Sequence, residues 1–226
     1  MENVINKIFP SKCIACDEIG EAFCDNCVST CRLLENQRCV VCDKPSPKGK
    51  THINCFSIST PTQTISIYRY ETLVRDCIRK AKYQRKEFMA LKKLSYEAAV
   101  LANEAGYSFE NFITVPVPSS KDRLNQRGFN QAKVIADKFS YILKLKTDMS
   151  ILIRHKSTGS QHKYDKKTRF ENVRDVFKVG TKAKDKKILL IDDICTTGAT
   201  LLETSRALYK EGAKEVKCFT LSKKLL

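Results

Sequence analysis

Seven of the eleven cysteines of this 226-residue chain, at positions 13, 16, 24, 27, 31, 39 and 42, fall within its first 42 residues, and an eighth follows at 55. Nothing else in the sequence limits the fold so sharply. Cys13-x2-Cys16, Cys24-x2-Cys27 and Cys39-x2-Cys42 are knuckles whose spacing lets both sulfurs of a pair reach one tetrahedral zinc. His52 and Cys55 repeat that spacing, and His52 is one of only three histidines in the chain. Two sites are therefore expected, Cys13, Cys16, Cys24 and Cys27 at one and Cys39, Cys42, His52 and Cys55 at the other. A cross-braced pairing, or Cys31 in place of a neighbour, fits the spacing almost as well. A segment of about 60 residues with so few aliphatics cannot supply a core of its own. Structural zinc contributes ~10–16 kcal/mol to such a module, so the metal would act as its core. Closed four-ligand sites leave no open position for catalysis.

Charge divides the chain at the same place. Residues 1–60 hold seven Lys/Arg and seven Asp/Glu, so the whole formal charge of +16 belongs to residues 61–226. Pro45, Pro47, Gly49 and Pro61 punctuate the exit from the first part, which sets the expected domains at 1–60 and 61–226. Hydrophobic residues are 42% and charged residues 29% of the chain, a balance that supports a packed core and excludes a disordered polymer. The positive surplus points to polyanionic partners: nucleic acid, phosphorylated substrates or a membrane surface. Seven thiolates against two Zn2+ would bring the cysteine module to about −3, so attraction to DNA is expected from residues 61–226. The longest aliphatic run, Ile188 to Ile191, is cut by Asp192 and Asp193, and no segment approaches the ~20 apolar residues of a membrane span. Met1 to Lys12 lacks a signal-peptide core, so a cytoplasmic location is expected, where cysteines serve as metal ligands more often than as disulfides.

From residue 61 onward the periodicity alternates between two and 3.6. A strand is expected over 64–70, helices over 73–81 and 88–101, a strand over 113–117, a helix over 132–143 and a strand over 151–154. After a basic stretch come a strand at 188–191, a helix at 199–211 stopped by Gly212, and a strand at 216–221. Strands separated by helices of this length need crossover connections. The fold class is α/β, a mainly parallel sheet covered by helices on both faces, preceded by the small metal-binding module.

The most informative stretch is Ile188-Leu-Leu-Ile-Asp192-Asp193-Ile-Cys-Thr196-Thr197-Gly198-Ala199-Thr200. It reads as a buried strand, two carboxylates at its end, then a hydroxyl-rich turn opening a helix. Backbone N–H groups at a helix start, threonine hydroxyls and an unhindered Gly198 form a cradle for one phosphate. Two carboxylates there would repel a phosphate, so their natural partners are neighbouring hydroxyls such as those of a ribose. Together these features describe a sugar-phosphate site.

This stretch resembles the 5-phosphoribosyl diphosphate (PRPP) motif of type I phosphoribosyltransferases, two acidic residues and T-T-G-x-T after four aliphatics. The resemblance assigns ribose contact to Asp192 and Asp193, and the 5′-phosphate to Thr196, Thr197, Gly198, Ala199 and Thr200. It then extends along the chain. The cysteine pairs, V-P-V-P-S-S-K-D-R-L-N-Q-R-G-F-N-Q-A from Val115 to Ala132, R-x6-Q from Arg154 to Gln161 and R-F-E-N-V from Arg169 to Val173 look like the ComF (ComFC) competence family. That family is a double zinc ribbon fused to a phosphoribosyltransferase domain. The resemblance implies a role in natural transformation or DNA utilisation: handling single-stranded DNA at the inner face of the membrane beside the DNA-uptake and helicase machinery. His52 departs from the pattern, standing where the family more often has cysteine. Thr196 also departs, occupying the position of the aspartate base in 6-oxopurine enzymes, which argues against hypoxanthine or guanine as acceptor.

By the same resemblance, Ser119 and Ser120 belong to the pyrophosphate-side loop, where Lys121, Arg123 and Arg127 would neutralise a diphosphate bridged by Mg2+. Residues 154–187 carry twelve Lys/Arg and four Asp/Glu, a net +8. They correspond to the loop that in these enzymes closes over PRPP, with Arg154, Gln161, Arg169 and Asn172 as its functional residues and Lys82 and Tyr83 as candidates on the preceding helix. Asp192, Asp193, Arg154 and Arg169 are the candidate catalytic set. The competing functions are a phosphoribosyltransferase of nucleotide salvage acting on a nitrogen nucleophile, and a PRPP-sensing regulator, for which no DNA-reading helix pair is found.

Overall fold

A computed structural model describes residues 11–81, 85–155, 175–180 and 183–225. The chain opens with β1 (Ser11–Lys12) paired antiparallel to β2 (Ile19–Gly20), followed by the one-turn helix α1 (Asp25–Ser29). Two short 3-10 turns, Pro47–Gly49 and Ile53–Cys55, lead to β3 (Gln63–Arg69). Then come α2 (Thr72–Lys80), α3 (Arg85–Glu104), β4 (Phe112–Pro116), α4 (Lys121–Arg127), α5 (Gln131–Leu143) and β5 (Lys146–Thr147). A two-stranded ribbon of β6 (Leu152–Arg154) and β7 (Phe177–Val179) precedes β8 (Lys187–Cys195), α6 (Ala199–Lys210) and β9 (Glu215–Lys223).

β3, β9, β8, β4 and β5 form one five-stranded sheet in that order, parallel at every pairing. Its central strands are apolar on both faces. Leu189, Ile191, Phe219 and Leu221 join one core with α2, α3 and α5, while Ile188, Leu190, Val216 and Cys218 join a second with α6. Phe139 of α5 lies over Phe219, ring centroids 4.1 Å apart, and locks the first layer. Each such side chain, fully buried, is worth roughly 1.5–3 kcal/mol.

Two local expectations change. Residues 152–154 are a strand, but outside the sheet: Lys146 and Thr147 reach the β4 edge first, pairing with Ile113 and Thr114. β6 instead pairs antiparallel with β7, Leu152 opposite Val179 and Arg154 opposite Phe177, which brings the start of the basic stretch beside residues 177–179 within it. Lys121–Arg127, expected as loop, is a helix. Ser120 caps it by accepting from the Arg123 N–H at 3.3 Å, and Gly128 ends it at φ +75°, a conformation other residues adopt at a cost.

The cysteine-rich module sits astride β3, the edge of the sheet. Leu34 N–H donates to Ile67 O (2.7 Å), Arg69 N–H to Arg32 O (2.9 Å), and the Gln37 amide brackets Ser66 by donating to its carbonyl (2.7 Å) and accepting from its N–H (3.0 Å). These bonds occupy edge groups that would otherwise be open to pairing with another chain. Phe23 and Val28 of the first ribbon enter the core on one face with Tyr68, and Val40 of the second enters the core on the other. Lys93 of α3 pins the first ribbon through Asp25 at 2.6 Å.

Within the module the donor atoms of Cys13, Cys16, Cys24 and Cys27 all lie within 4.8 Å of one another, as do those of Cys39, Cys42, His52 and Cys55. Sequential pairing is thus the arrangement present, and Cys31 is buried outside both clusters with its thiol toward Cys27 O at 3.7 Å. Both donor sets fit a structural zinc. In the first, burial opposes ionisation of Cys13, but N–H groups of Cys24, Ala15 and Cys16 bring its thiol down to about 6. Burial and the neighbouring Cys42 and Cys39 sulfurs then push Cys55 in the second cluster up to about 11, the mutual repulsion that a dication relieves. His52 places Nε2 3.1 Å from Pro45 O. A carbonyl only accepts, so that nitrogen carries the proton and Nδ1, 3.3 Å from Cys42 Sγ, offers its lone pair to the cluster.

Elemental analysis of protein purified without chelator should find close to two zinc atoms per chain, one for each cluster. Cys31→Ser should leave that number unchanged. Protein that is folded and metal-free, or that loses zinc on the Cys31 substitution, would contradict the assignment.

Candidate functional site

The carboxyl ends of β4 and β8 lie side by side, joined by Val117 N–H donating to Ile191 O at 2.9 Å. In an open parallel sheet this end of the strands is where ligands bind. β8 continues past its aliphatic run as far as Cys195, so Asp192 and Asp193 are strand residues rather than part of the turn. Burial and the neighbouring Asp193 charge raise the Asp192 carboxyl well above the usual range, against a smaller opposing effect from Arg123 and the Asp193 N–H. Asp192 Oδ1 accepts that N–H at 2.9 Å. On the other side Tyr70, which follows β3, has its phenol raised by burial and by the charge of Asp193.

The turn Thr196-Thr197-Gly198 leads directly into α6. Gly198 has φ +78° and serves as the N-cap, and its missing side chain matters for space too: a Cβ would stand 2.7 Å from Val40 Cγ2 and 2.8 Å from Val40 O. Thr197 Oγ1 accepts from Ala199 N–H at 3.4 Å. Thr196 and Thr200 are partly exposed at the mouth of this turn. The 12-residue helix α6 therefore starts on a hydroxyl-bearing turn close behind the two carboxylates of β8.

The Arg127 to Gln131 run is a bracket. Arg127 donates to Gln131 Oε1 (3.2 Å), Gln131 Nε2 to Ile78 O of α2 (2.7 Å), and Phe129 meets Phe88 edge-to-face at 4.8 Å between centroids. Asn130 donates to Val117 O (2.9 Å), while its Oδ1 accepts from Ser119 Oγ (3.0 Å) and from Ala132 N–H (3.1 Å). Ser119 and Ser120 are held in place by this network. Lys121 and Arg123 are exposed on α4, and Arg127 is half-buried.

Arg154 ends β6 and lies over the Phe177 ring, 5.6 Å from its centroid. Burial lowers its guanidinium pKa, with Arg123 adding to the effect and Asp192 opposing it, so these three residues share one electrostatic neighbourhood. Asp175, within the basic stretch, is tied to α6: its N–H donates to Glu203 Oε1 (2.8 Å) and Arg206 donates to its carboxylate (2.7 Å). Lys82, Tyr83, Gln161, Arg169 and Asn172 lie outside the described residues. Cys195 packs as the buried last residue of β8, its thiol pushed up to about 11 by burial. Tyr70 went unnoticed in the sequence, where an aromatic after a strand carries no signal of its own.

Comparison with known proteins accords with this arrangement. Residues 4–56 match the double zinc ribbon domain and residues 124–225 the phosphoribosyl transferase domain. The competence protein ComFC of Streptococcus pneumoniae is 30% identical over 215 residues, covering 92% of this chain and 86% of that protein. ComFC of Bacillus subtilis is 28% identical, covering 89% and 84%. The DNA utilization protein YhgH of Salmonella typhi is 25% identical, covering 87% and 90%. With both constituent domains matched in order and the pneumococcal relative aligned along nearly its full length, this chain belongs to the ComFC family of competence and DNA-utilisation proteins.

Proposed function

We propose that this protein binds PRPP with Mg2+ at the turn between β8 and α6 and handles single-stranded DNA through the charge of residues 61–226. One observation supports the first half: α6 starts on a Thr-Thr-Gly turn close behind a pair of carboxylates at the end of β8, and a helix start of this kind can cradle an anion. The amides and hydroxyls of Thr196 to Thr200 would take the 5′-phosphate, and Asp192 and Asp193 would accept from the ribose hydroxyls. Lys121, Arg123 and Arg127 of α4 would neutralise the diphosphate, and the electrostatic effect of Arg123 on Asp192 supports that reading. Mg2+ would supply further neutralisation of that diphosphate. The 5′-phosphate and the separate diphosphate of PRPP both call for cations or N–H donors, and the acid pair calls for the ribose hydroxyls. Among the described residues no helix is long and apolar enough to cross a membrane, so any work at the membrane face would be peripheral.

Single-stranded DNA rests on different support. The formal charge of residues 61–226 is +16, and relatives that share most of the chain are named for competence and DNA utilisation. Backbone neutralisation of this kind is sequence-independent. The uptake and helicase machinery would be the natural neighbours of a protein holding the incoming strand.

Replacing Asp192 and Asp193 together with Ala should abolish PRPP binding in calorimetry while the protein stays folded, since the backbone pairing of β8 with β9 does not depend on either side chain. Wild-type affinity should rise with pH. Asp192 holds its proton to higher pH than an ordinary carboxyl, and only the ionised form accepts two hydroxyl bonds, so binding gains as pH climbs through that raised value and is lost below it. Affinity that is flat across the acidic range, or unchanged in the double variant, would contradict the site.

For DNA, neutralisation of about five phosphates predicts that log affinity falls with log salt at a slope of roughly −3.5. Oligonucleotides of different sequence should bind within a few-fold of one another. Fluorescence anisotropy showing salt-independent or strongly sequence-selective binding would remove the electrostatic basis.

A further inference from the structure

The second metal cluster and the phosphate turn are joined by a buried chain of contacts that neither the family's two domains nor the site above explains. Lys223, the last residue of β9, is 5% exposed, and besides the Cys195 thiol its ammonium meets two oxygens. It donates to Thr196 O at 2.7 Å, the first carbonyl of the phosphate turn, and lies 2.8 Å from Asp43 Oδ1. Asp43 follows the ligand Cys42 in the knuckle and sits at φ +59°. Its N–H donates to Cys39 O, and Cys39 N–H donates to Lys44 O, both at 2.9 Å, so the conformation that aims its carboxylate belongs to the knuckle turn itself. Arg38, just before Cys39, adds a second cation 3.4 Å from the same oxygen. Next to this bridge Val40 fills the space that a Cβ on Gly198 would need.

The turn is therefore held from outside the sheet. A buried ammonium needs a counter-ion and hydrogen-bond acceptors, and here one comes from each side of the junction. We propose that Asp43 and Lys223 are positioning residues, through which the Cys39/Cys42/His52/Cys55 cluster holds the phosphate turn in the conformation that receives the 5′-phosphate. Metal in that cluster and ligand at the turn then support each other, because each stabilises the same arrangement of residues 39–44 and 196–198. This rests on PRPP binding at the turn, as proposed above. The clamp itself, however, is a property of the ligand-free protein.

Hydrogen exchange on the ligand-free, full-length protein tests it directly. Asp43→Asn and Lys223→Met should each speed amide exchange in the segment from Asp193 to Leu201 while zinc content stays at the wild-type value. Lys93→Met, which removes the ion pairs to Glu21 and Asp25 of the first ribbon, should leave that segment unchanged. PRPP affinity in the two clamp variants should fall roughly tenfold, the size of one lost charge-assisted hydrogen bond, and the double variant should lose no more than either single one. Chelator competition should also strip zinc from the wild type more slowly when PRPP and Mg2+ are present. Should Lys223→Met fail to fold, Asp43→Asn and Val40→Ala carry the same comparison. Unchanged exchange in Asp43→Asn, or an equal increase in Lys93→Met, would overturn the clamp. A wild type that does not bind PRPP would instead overturn the ligand assignment, with the exchange result still deciding whether the clamp exists.

Discussion

An edge strand left bare invites pairing with any other chain, and a metal-binding module without aliphatics has nothing of its own to fold around. The docking of residues 11–62 across β3 answers both constraints at once. Leu34, Gln37 and Arg69 close the backbone of the edge. Phe23 then borrows the core on one face, and Val40 borrows the core on the other. Zinc in the two clusters would fix the knuckles so that these few contacts suffice, in a module where every kilocalorie of apolar burial is scarce. The two halves are consequently interdependent. The ribbon module needs the sheet for its hydrophobic contacts, and the sheet needs the module for its edge.

That dependence reaches the functional end of the molecule because the second ribbon lies on the face where α6 begins. Strand ends in a parallel sheet leave backbone amides and short loops exposed, and the protein places two carboxylates there although burial and its neighbour's charge oppose ionisation of Asp192. Such a site is not the conformation of lowest electrostatic energy, and its neighbours hold it in place. Asn130 ties the Ser119 loop, Arg206 and Glu203 tie the end of β7 to α6, and Lys223 ties the phosphate turn to Asp43. The ties of Arg206 to Asp175 and of Lys223 to Asp43 come from elements remote in sequence.

The metal ligands were legible because tetrahedral coordination demands short, regular spacing, and such spacing is visible along a chain. The turn between β8 and α6 stood out for a similar reason: its acids, threonines and glycine fall within nine residues, 192–200, and the structure puts a strand end and a helix start there as that pattern suggested. Strand and helix positions followed from periodicity, with β8 reading short because Asp192 and Asp193 interrupt its apolar pattern without ending its pairing. What periodicity could not supply was partnership. Nothing in Leu152–Arg154 says that its neighbour is Phe177–Val179 rather than the sheet. Ser120 and Gly128 do mark the ends of α4, but its polar face hides the helix between them. Lys223 is the clearest case, since a single lysine near the end of an apolar strand gives no sign of its contact with Asp43, 180 residues earlier.

The central claim is that the turn between β8 and α6 is a ribose-5-phosphate site. Its most direct test is a crystal structure of the zinc-loaded protein grown with saturating PRPP and Mg2+. The account predicts the 5′-phosphate within hydrogen-bond distance of the amides between Thr196 and Ala199, with ribose hydroxyls donating to Asp192 and Asp193. Ligand bound elsewhere, with that turn and both carboxylates free of it, would contradict the account.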